Sequence, residues 1–198
     1  MIDNMSAHRE AWREFCSRRG LNLTDAEFKQ KISGRRNDQI IPSLFGANLS
    51  LEQITAYANE KESVYRELYK PKIKPVPGLL ETFSQIKRLH IKLAMATAAS
   101  KENCDFSLAA LGLNNYFDVI LGETDVKMGK PDPEIYLQTA ARLNVGPDSC
   151  LVFEDSPAGV QSGKNAGMKV VGITTSHTEA ELAKADLTVK NFSELELI

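Results

Sequence analysis

Residue types able to hold or move charge gather at three places. Two adjacent carboxylates, Glu154 and Asp155, close the run Leu151-Val152-Phe153 and precede Ser156-Pro157-Ala158-Gly159-Val160. The apolar run follows the turn-rich Gly146-Pro147-Asp148-Ser149 and predicts a short strand covered on both faces, with Pro157 early in a helix. The carboxyl ends of strands in a parallel α/β sheet open on the ligand crevice, so the pair would meet a substrate there. Carboxylate oxygens are what Mg²⁺ takes, with waters and a substrate phosphate in its other positions. Taken alone, the pair is better explained as a solvated loop or a charge pair at a helix N-terminus. The other two places share the strand-to-helix character. Ala94-Met95-Ala96-Thr97-Ala98-Ala99-Ser100 reads as a strand ending in a hydroxyl, and Gly129-Lys130-Pro131-Asp132-Pro133 sets a lysine before a helix start.

A hydroxyl, a lysine and an acidic pair, in that order, resemble the second, third and fourth motifs of the haloacid dehalogenase superfamily. Within it the chain is similar to the β-phosphoglucomutase-like phosphatases over nearly its whole length, from Asp3 to Ile198. The resemblance implies Mg²⁺-dependent phosphoryl transfer, by a phosphatase or phosphosugar mutase, on a small phosphorylated metabolite such as a sugar phosphate. A phosphoryl group in transfer carries spread negative charge, so such a site mainly positions and neutralises it. Thr97 and the amides of Ala98 and Ala99 are then expected to hydrogen-bond phosphoryl oxygens. Lys130 would bridge the phosphoryl group and a nucleophilic carboxylate, and Asp155 would ligate Mg²⁺ with Glu154 ligating or orienting beside it. Without the resemblance, Thr97 is an ordinary strand-terminal threonine and Lys130 a surface lysine before a turn. The family's first motif, Asp-x-Asp-Gly, carries the nucleophile and the general acid/base, and the 198 residues contain no such segment. The expectation is that it precedes Met1 and that the polypeptide as it stands is inactive. About a dozen upstream residues would restore it, since a strand of roughly five or six residues and a catalytic turn must come first.

The 198 residues, at 42% hydrophobic content, suffice for one full core and a smaller helical one. A formal charge of −2 gives no basic field for nucleic acid or an acidic membrane. The three cysteines, Cys16, Cys104 and Cys150, are widely spaced and odd in number, which suits reduced thiols in a cytoplasmic protein. No apolar run approaches membrane-spanning length. The composition leaves oligomeric state open.

Residues 5–69 read as an all-helical cap. The first helix carries His8, Ala11, Trp12, Phe15 and Cys16 on one face and stops at Gly20. His8 is either a core histidine or, as the resemblance implies for it and Trp12, a substrate-facing residue. Thr24-x-x-Glu27 and Ser50-x-x-Gln53 are capping boxes, and Ser33-Gly34 should end the second helix. Arg35 and Arg36 follow in a polar turn. Paired arginines are usually a solvated face, whereas the resemblance makes them substrate contacts. In the last cap helix Lys61 interrupts the stripe Ile54, Tyr57, Val64, Tyr65, Leu68. Such a lysine must snorkel to solvent or meet an anion, and the resemblance makes it substrate-facing.

Pro71, Pro75 and Pro77-Gly78 mark the return to a core made of residues 1–4 and 70–198. Helices at 79–89, 101–111, from Pro133, up to Ala166 and from Thr178 alternate with strands at 91–96, 119–121, 150–153, 169–173 and 187–189. That alternation predicts a doubly wound parallel α/β sheet. The resemblance implies one further strand, first in sequence and central in the sheet. Rival functions are hydrolysis of another small phosphate, such as pyrophosphate or a nucleotide monophosphate, and a non-catalytic chain that only binds a ligand or partner.

Overall fold

A computed structural model of the chain describes residues 1–32 and 35–195. They form two compact units, one of residues 1–3 and 74–198, the other of residues 4–73.

The smaller unit is helical: α1 (Met5–Ser17), α2 (Asp25–Lys31), α3 (Asn37–Phe45) and α4 (Leu51–Tyr69). Both capping boxes form, so two orphan amides at the starts of α2 and α4 are satisfied by their own side chains. Trp12, Phe15 and Cys16 of α1, Phe28 of α2 and Ile40 and Ile41 of α3 make the core, with Ile54 and Tyr57 of α4 packed against it. Ser33-Gly34, expected to end α2, lies outside the described residues. Residues 70–73, expected with the core, stay with this unit for a local reason. The amides of Lys72 and Ile73 both donate to Tyr69 O, at 2.8 and 2.9 Å. Lys72 Nζ also lies 2.7 Å from Glu10 Oε2 on α1.

The larger unit runs α5 (Leu79–Arg88), β1 (Ala94–Ala96), α6 (Lys101–Leu111), β2 (Val119–Leu121), α7 (Glu134–Leu143), β3 (Leu151–Glu154), α8 (Pro157–Asn165), β4 (Lys169–Ile173) and β5 (Leu187–Val189). Every pairing is parallel. β1 pairs with β2, and β3, β4 and β5 pair in that order; among the described residues no ladder joins β1 to β3. Two cores nevertheless run across both ladders. On one face Met95 and Phe153 pack with Val171, Ile173, Leu79, Phe83 and Leu108; on the other, Ala96 and Val152 pack with Val170, Leu121, Ile135 and Val160. Helices α5 and α6 thus cover one face and α7 and α8 the other, the doubly wound arrangement expected.

Several boundaries differ from expectation, each because a backbone group is used elsewhere. β1 begins at Ala94 instead of 91, since the Ile91 amide closes α5 on Ile86 O at 3.1 Å. β3 begins one residue late because Cys150 N closes a turn on Pro147 O at 3.1 Å. Pro133 is the N-cap of α7, not its first helical residue. The Thr178-x-x-Glu181 box forms at 2.8 and 3.4 Å, yet only turns follow, because Asp186 N must pair with Val170 O to start β5. Gly78 precedes α5 at φ +79°, where a Cβ would lie 2.2 Å from Ser193 N. No helix among the described residues is long and apolar enough to cross a membrane.

Candidate active site

The site of the larger unit forms at the carboxyl ends of β1 and β3. Strand alternation sends the two carboxylates different ways: Glu154 shares the face of Val152, toward α7 and α8, and Asp155 begins the loop. Glu154 is buried and lies under the first turn of α8, where a Cβ on Gly159 would sit 2.0 Å from its carboxyl carbon. Gly159 therefore makes room for a carboxylate. Ser156 caps α8 by accepting from Gly159 N at 3.1 Å and donates to Glu154 Oε2 at 3.2 Å.

Lys130 supplies the matching charge. Its ammonium donates to Ala96 O at 3.1 Å, to Tyr136 Oη at 3.1 Å, and to Glu154 Oε1 in an ion pair. Tyr136, in the first turn of α7, donates its own hydroxyl proton to Glu154 Oε1 at 2.5 Å. Burial pushes the Glu154 carboxyl upward, but the Lys130 charge and the bonds from Lys130, Tyr136 and Ser156 outweigh it and hold the group below the usual carboxylate value. Burial, and then the Glu154 charge, drive the Tyr136 hydroxyl well above its ordinary value, so it stays a donor.

Asp155 is differently placed. Its Oδ2 accepts from Ser176 Oγ at 2.7 Å and its carbonyl accepts from His177 Nδ1 at 2.8 Å. Among the described residues nothing donates to Oδ1. Both oxygens of Glu154 accept from protein donors, whereas Asp155 keeps Oδ1 without one among the described residues, which makes Asp155 the more accessible ligand and Glu154 the orienting partner. One carboxylate fits Mg²⁺, which usually takes one or two and completes its shell with water and phosphate. No three His, Cys, Asp or Glu side chains gather as a metal site among the described residues.

Thr97 follows β1, with its amide donating to Leu121 O at 2.9 Å. Its hydroxyl oxygen accepts from Ala99 N at 3.0 Å. The Ala99 amide therefore fixes Thr97 instead of offering itself to a ligand, which leaves the Thr97 hydroxyl proton and the exposed Ala98 amide as donors.

In the helical unit, His8, Trp12 and Lys61 come together. Lys61 is 2% exposed, so it does not snorkel; its ammonium meets Glu62 Oε1 at 2.7 Å and His8 Nδ1 at 3.1 Å and lies 5.2 Å from the Trp12 ring centroid. The His8 ring stacks on Tyr65 at 3.9 Å. Burial first, then the Lys61 charge, push His8 down to about 4 against the pull of Glu62. A neutral ring whose Nδ1 accepts from an ammonium carries its proton on Nε2. Arg35 and Arg36 are exposed on this unit, and Arg36 Nε lies 3.4 Å from Asp38, as a solvated face would have them.

Tyr136, Ser156, Ser176 and Glu62 were not singled out from the sequence. Two signals were there: a tyrosine on the buried face of α7 must find a partner for its hydroxyl, and period-two alternation separates Glu154 from Asp155.

A lysine–carboxylate pair thus links the carboxyl ends of β1 and β3, beside a strand-terminal threonine and a carboxylate with one oxygen that accepts from no described donor. The chain matches the haloacid dehalogenase-like hydrolases over residues 1–173 and belongs to that family. Among its relatives is a phosphorylated carbohydrates phosphatase of Thermotoga maritima, 35% identical over 180 residues, covering 89% of this chain and 82% of the relative. A β-phosphoglucomutase of Bacillus subtilis is 29% identical over 207 residues, covering 100% and 88%. The crystal structure of a family IA, variant 3 hydrolase of this superfamily from Entamoeba histolytica superimposes with a TM-score of 0.89. It is 31% identical, with 100% of this chain and 91% of that one covered.

Proposed function

We propose that the larger unit carries out Mg²⁺-dependent phosphoryl transfer on a small phosphorylated metabolite, a sugar phosphate above all, as a phosphatase or phosphosugar mutase. The observation that carries this reading is the Lys130 ammonium, held between Ala96 O and Glu154 next to Thr97 and Asp155. The relatives named for phosphorylated carbohydrates and phosphoglucose support the substrate class.

In this reading the Thr97 hydroxyl and the Ala98 amide donate to phosphoryl oxygens, and the Lys130 charge offsets the negative charge that spreads over them in the transition state. Glu154 orients Lys130. Asp155 would hold Mg²⁺, with Ser176 fixing its other oxygen. When bound, the metal supplies positive charge to the same phosphoryl oxygens. In the helical unit, His8, Trp12 and Lys61 are assigned to substrate selection, with His8 Nε2–H as a neutral donor.

Chemistry also needs a nucleophilic carboxylate. In this reading Glu154 serves Lys130 and Asp155 serves the metal, so neither is assigned as the nucleophile. Phosphate release from a panel of sugar phosphates, pyrophosphate and nucleotide monophosphates tests the reading, with and without Mg²⁺. Interconversion of glucose phosphates with a bisphosphate primer separates mutase from phosphatase. No release, together with no Mg²⁺ or phosphate binding, refutes it; binding without release leaves the binding-only alternative.

A further inference from the structure

The Lys130 ammonium has three N–H donors, and three protein acceptors already take them: Ala96 O, Tyr136 Oη and Glu154 Oε1. A phosphoryl oxygen can be met only by giving one of these up. The three are not equal. The bond to Glu154 is charge-assisted and the strongest. Ala96 O is a backbone carbonyl at a strand end, costly to leave unpaired where it is buried. Tyr136 is different, because its hydroxyl keeps its own donated bond to Glu154 at 2.5 Å whether or not it accepts from Lys130.

We propose that the Tyr136 hydroxyl is a positioning group for Lys130: it holds the third donor of the ammonium in place and is the partner exchanged for a phosphoryl oxygen. The inference rests on the phosphoryl-transfer reading of this site and adds a residue to it. Tyr136 touches neither substrate nor metal in this scheme; it acts through Lys130 and Glu154.

Tyr136→Phe tests it cleanly. The ring, whose centroid lies 4.8 Å from Lys130 Nζ, is retained, so cation–π contact and packing persist and only the hydroxyl is lost. Glu154 keeps Lys130 and Ser156 as donors, so the thermal midpoint should move by no more than a few degrees. The hydroxyl's bond to Glu154 persists after the exchange, and without it the carboxylate aims Lys130 less well, which should lower kcat about tenfold while KM changes less than about twofold. The deciding readout is a double-mutant cycle with Lys130→Ala. If Tyr136 acts through Lys130, Y136F costs about tenfold alone and nothing further in the K130A background. Titration calorimetry with inorganic phosphate in Mg²⁺ reads the same coupling where turnover is absent.

Equal losses from Y136F in both backgrounds, or an unchanged kcat and phosphate affinity in Y136F while K130A is impaired, overturn this inference and leave the phosphoryl-transfer reading standing. A K130A variant indistinguishable from the unsubstituted protein overturns that reading, and the role of Tyr136 with it. So does an unsubstituted protein that neither turns over nor binds phosphate.

Discussion

Replacing His8 by glutamine should remove a pH-dependent part of the stability of the helical unit. The His8 ring is held neutral by burial and by Lys61, with Glu62 and Tyr65 as its other close neighbours. Its pKa is about 4 in the folded protein against 6.5 ordinarily. Between these values the unfolded chain binds a proton that the folded one refuses. Stability therefore falls as pH drops from 6.5 to 4 and is unaffected by His8 above that window. The full gap is worth roughly 3 kcal/mol, at about 1.4 kcal/mol per tenfold. With 29% of the side chain open to solvent, screening reduces this to about 2 kcal/mol. Glutamine can still accept from Lys61 through its amide oxygen but does not titrate. Trp12 is the chain's single tryptophan and lies buried in this unit, so its fluorescence follows the unit's unfolding. Urea titrations at pH 4, 5, 6 and 7 should show His8→Gln gaining about 2 kcal/mol relative to the unsubstituted protein between pH 7 and pH 4. A difference between the two proteins that stays constant across this range would show that His8 is not held neutral.

Gly159→Ala places a Cβ 2.0 Å from the Glu154 carboxyl carbon; by forcing that carboxylate off Lys130 and Tyr136 it should cost about 3 kcal/mol or more in denaturant unfolding. Gly20→Ala, at φ +73° with nothing within 4 Å, should cost only about 1 kcal/mol; equal losses for the two would deny Glu154 its place under α8. Asp155→Asn should abolish Mg²⁺ binding measured by calorimetry, and Mg²⁺-dependent turnover with it, with the thermal midpoint nearly unchanged. Normal Mg²⁺ affinity in that variant would remove Asp155 from the site. Lys130→Ala should lower kcat far more than Lys61→Ala, which should chiefly raise KM, because only Lys130 meets charge that develops in the transition state. Steady-state kinetics showing a pure KM effect for both would contradict these roles.

Where local chemistry alone decides an element, the sequence was legible. Helix α6 spans 101–111 as expected and stops at Gly112, which sits at φ +69°, and the Val170–Val171 alternation of β4 feeds two cores because each side chain faces a different helical layer. Helix α3 was not anticipated, since Pro42 reads as a break; it is tolerated within Asn37–Phe45, where burial of Ile40 and Ile41 outweighs the lost bond. The candidate site was legible as residue types and not as partners. Lys130, Glu154, Asp155 and Thr97 stood out by position, but Tyr136 donating to Glu154, Ala99 spent on Thr97 and Glu62 neutralising Lys61 depend on which groups three-dimensional packing brings within 3 Å or so. For Glu154 the sequence left ligating and orienting both open, because adjacency in sequence hides the half-turn that a strand imposes between neighbours.

That half-turn also bears on the two duties that the phosphoryl-transfer reading gives the lysine. β1 and β3 share two apolar cores but no hydrogen-bond ladder among the described residues, so at their carboxyl ends the polar link is the Lys130 ammonium, bonded to Ala96 O on one side and Glu154 on the other. A charge placed to tie two strand ends is, by the same geometry, placed at the mouth of the crevice where a phosphate would enter. Removing it leaves Glu154 a buried, unpaired carboxylate as well as removing a site charge. The catalytic loss in Lys130→Ala must therefore be read beside its stability, with Lys130→Ala/Glu154→Gln as the control in which the buried charge is also gone. If that pair recovers stability while activity stays lost, the two duties of Lys130 are separable, and the charge toward the crevice is the one that chemistry requires.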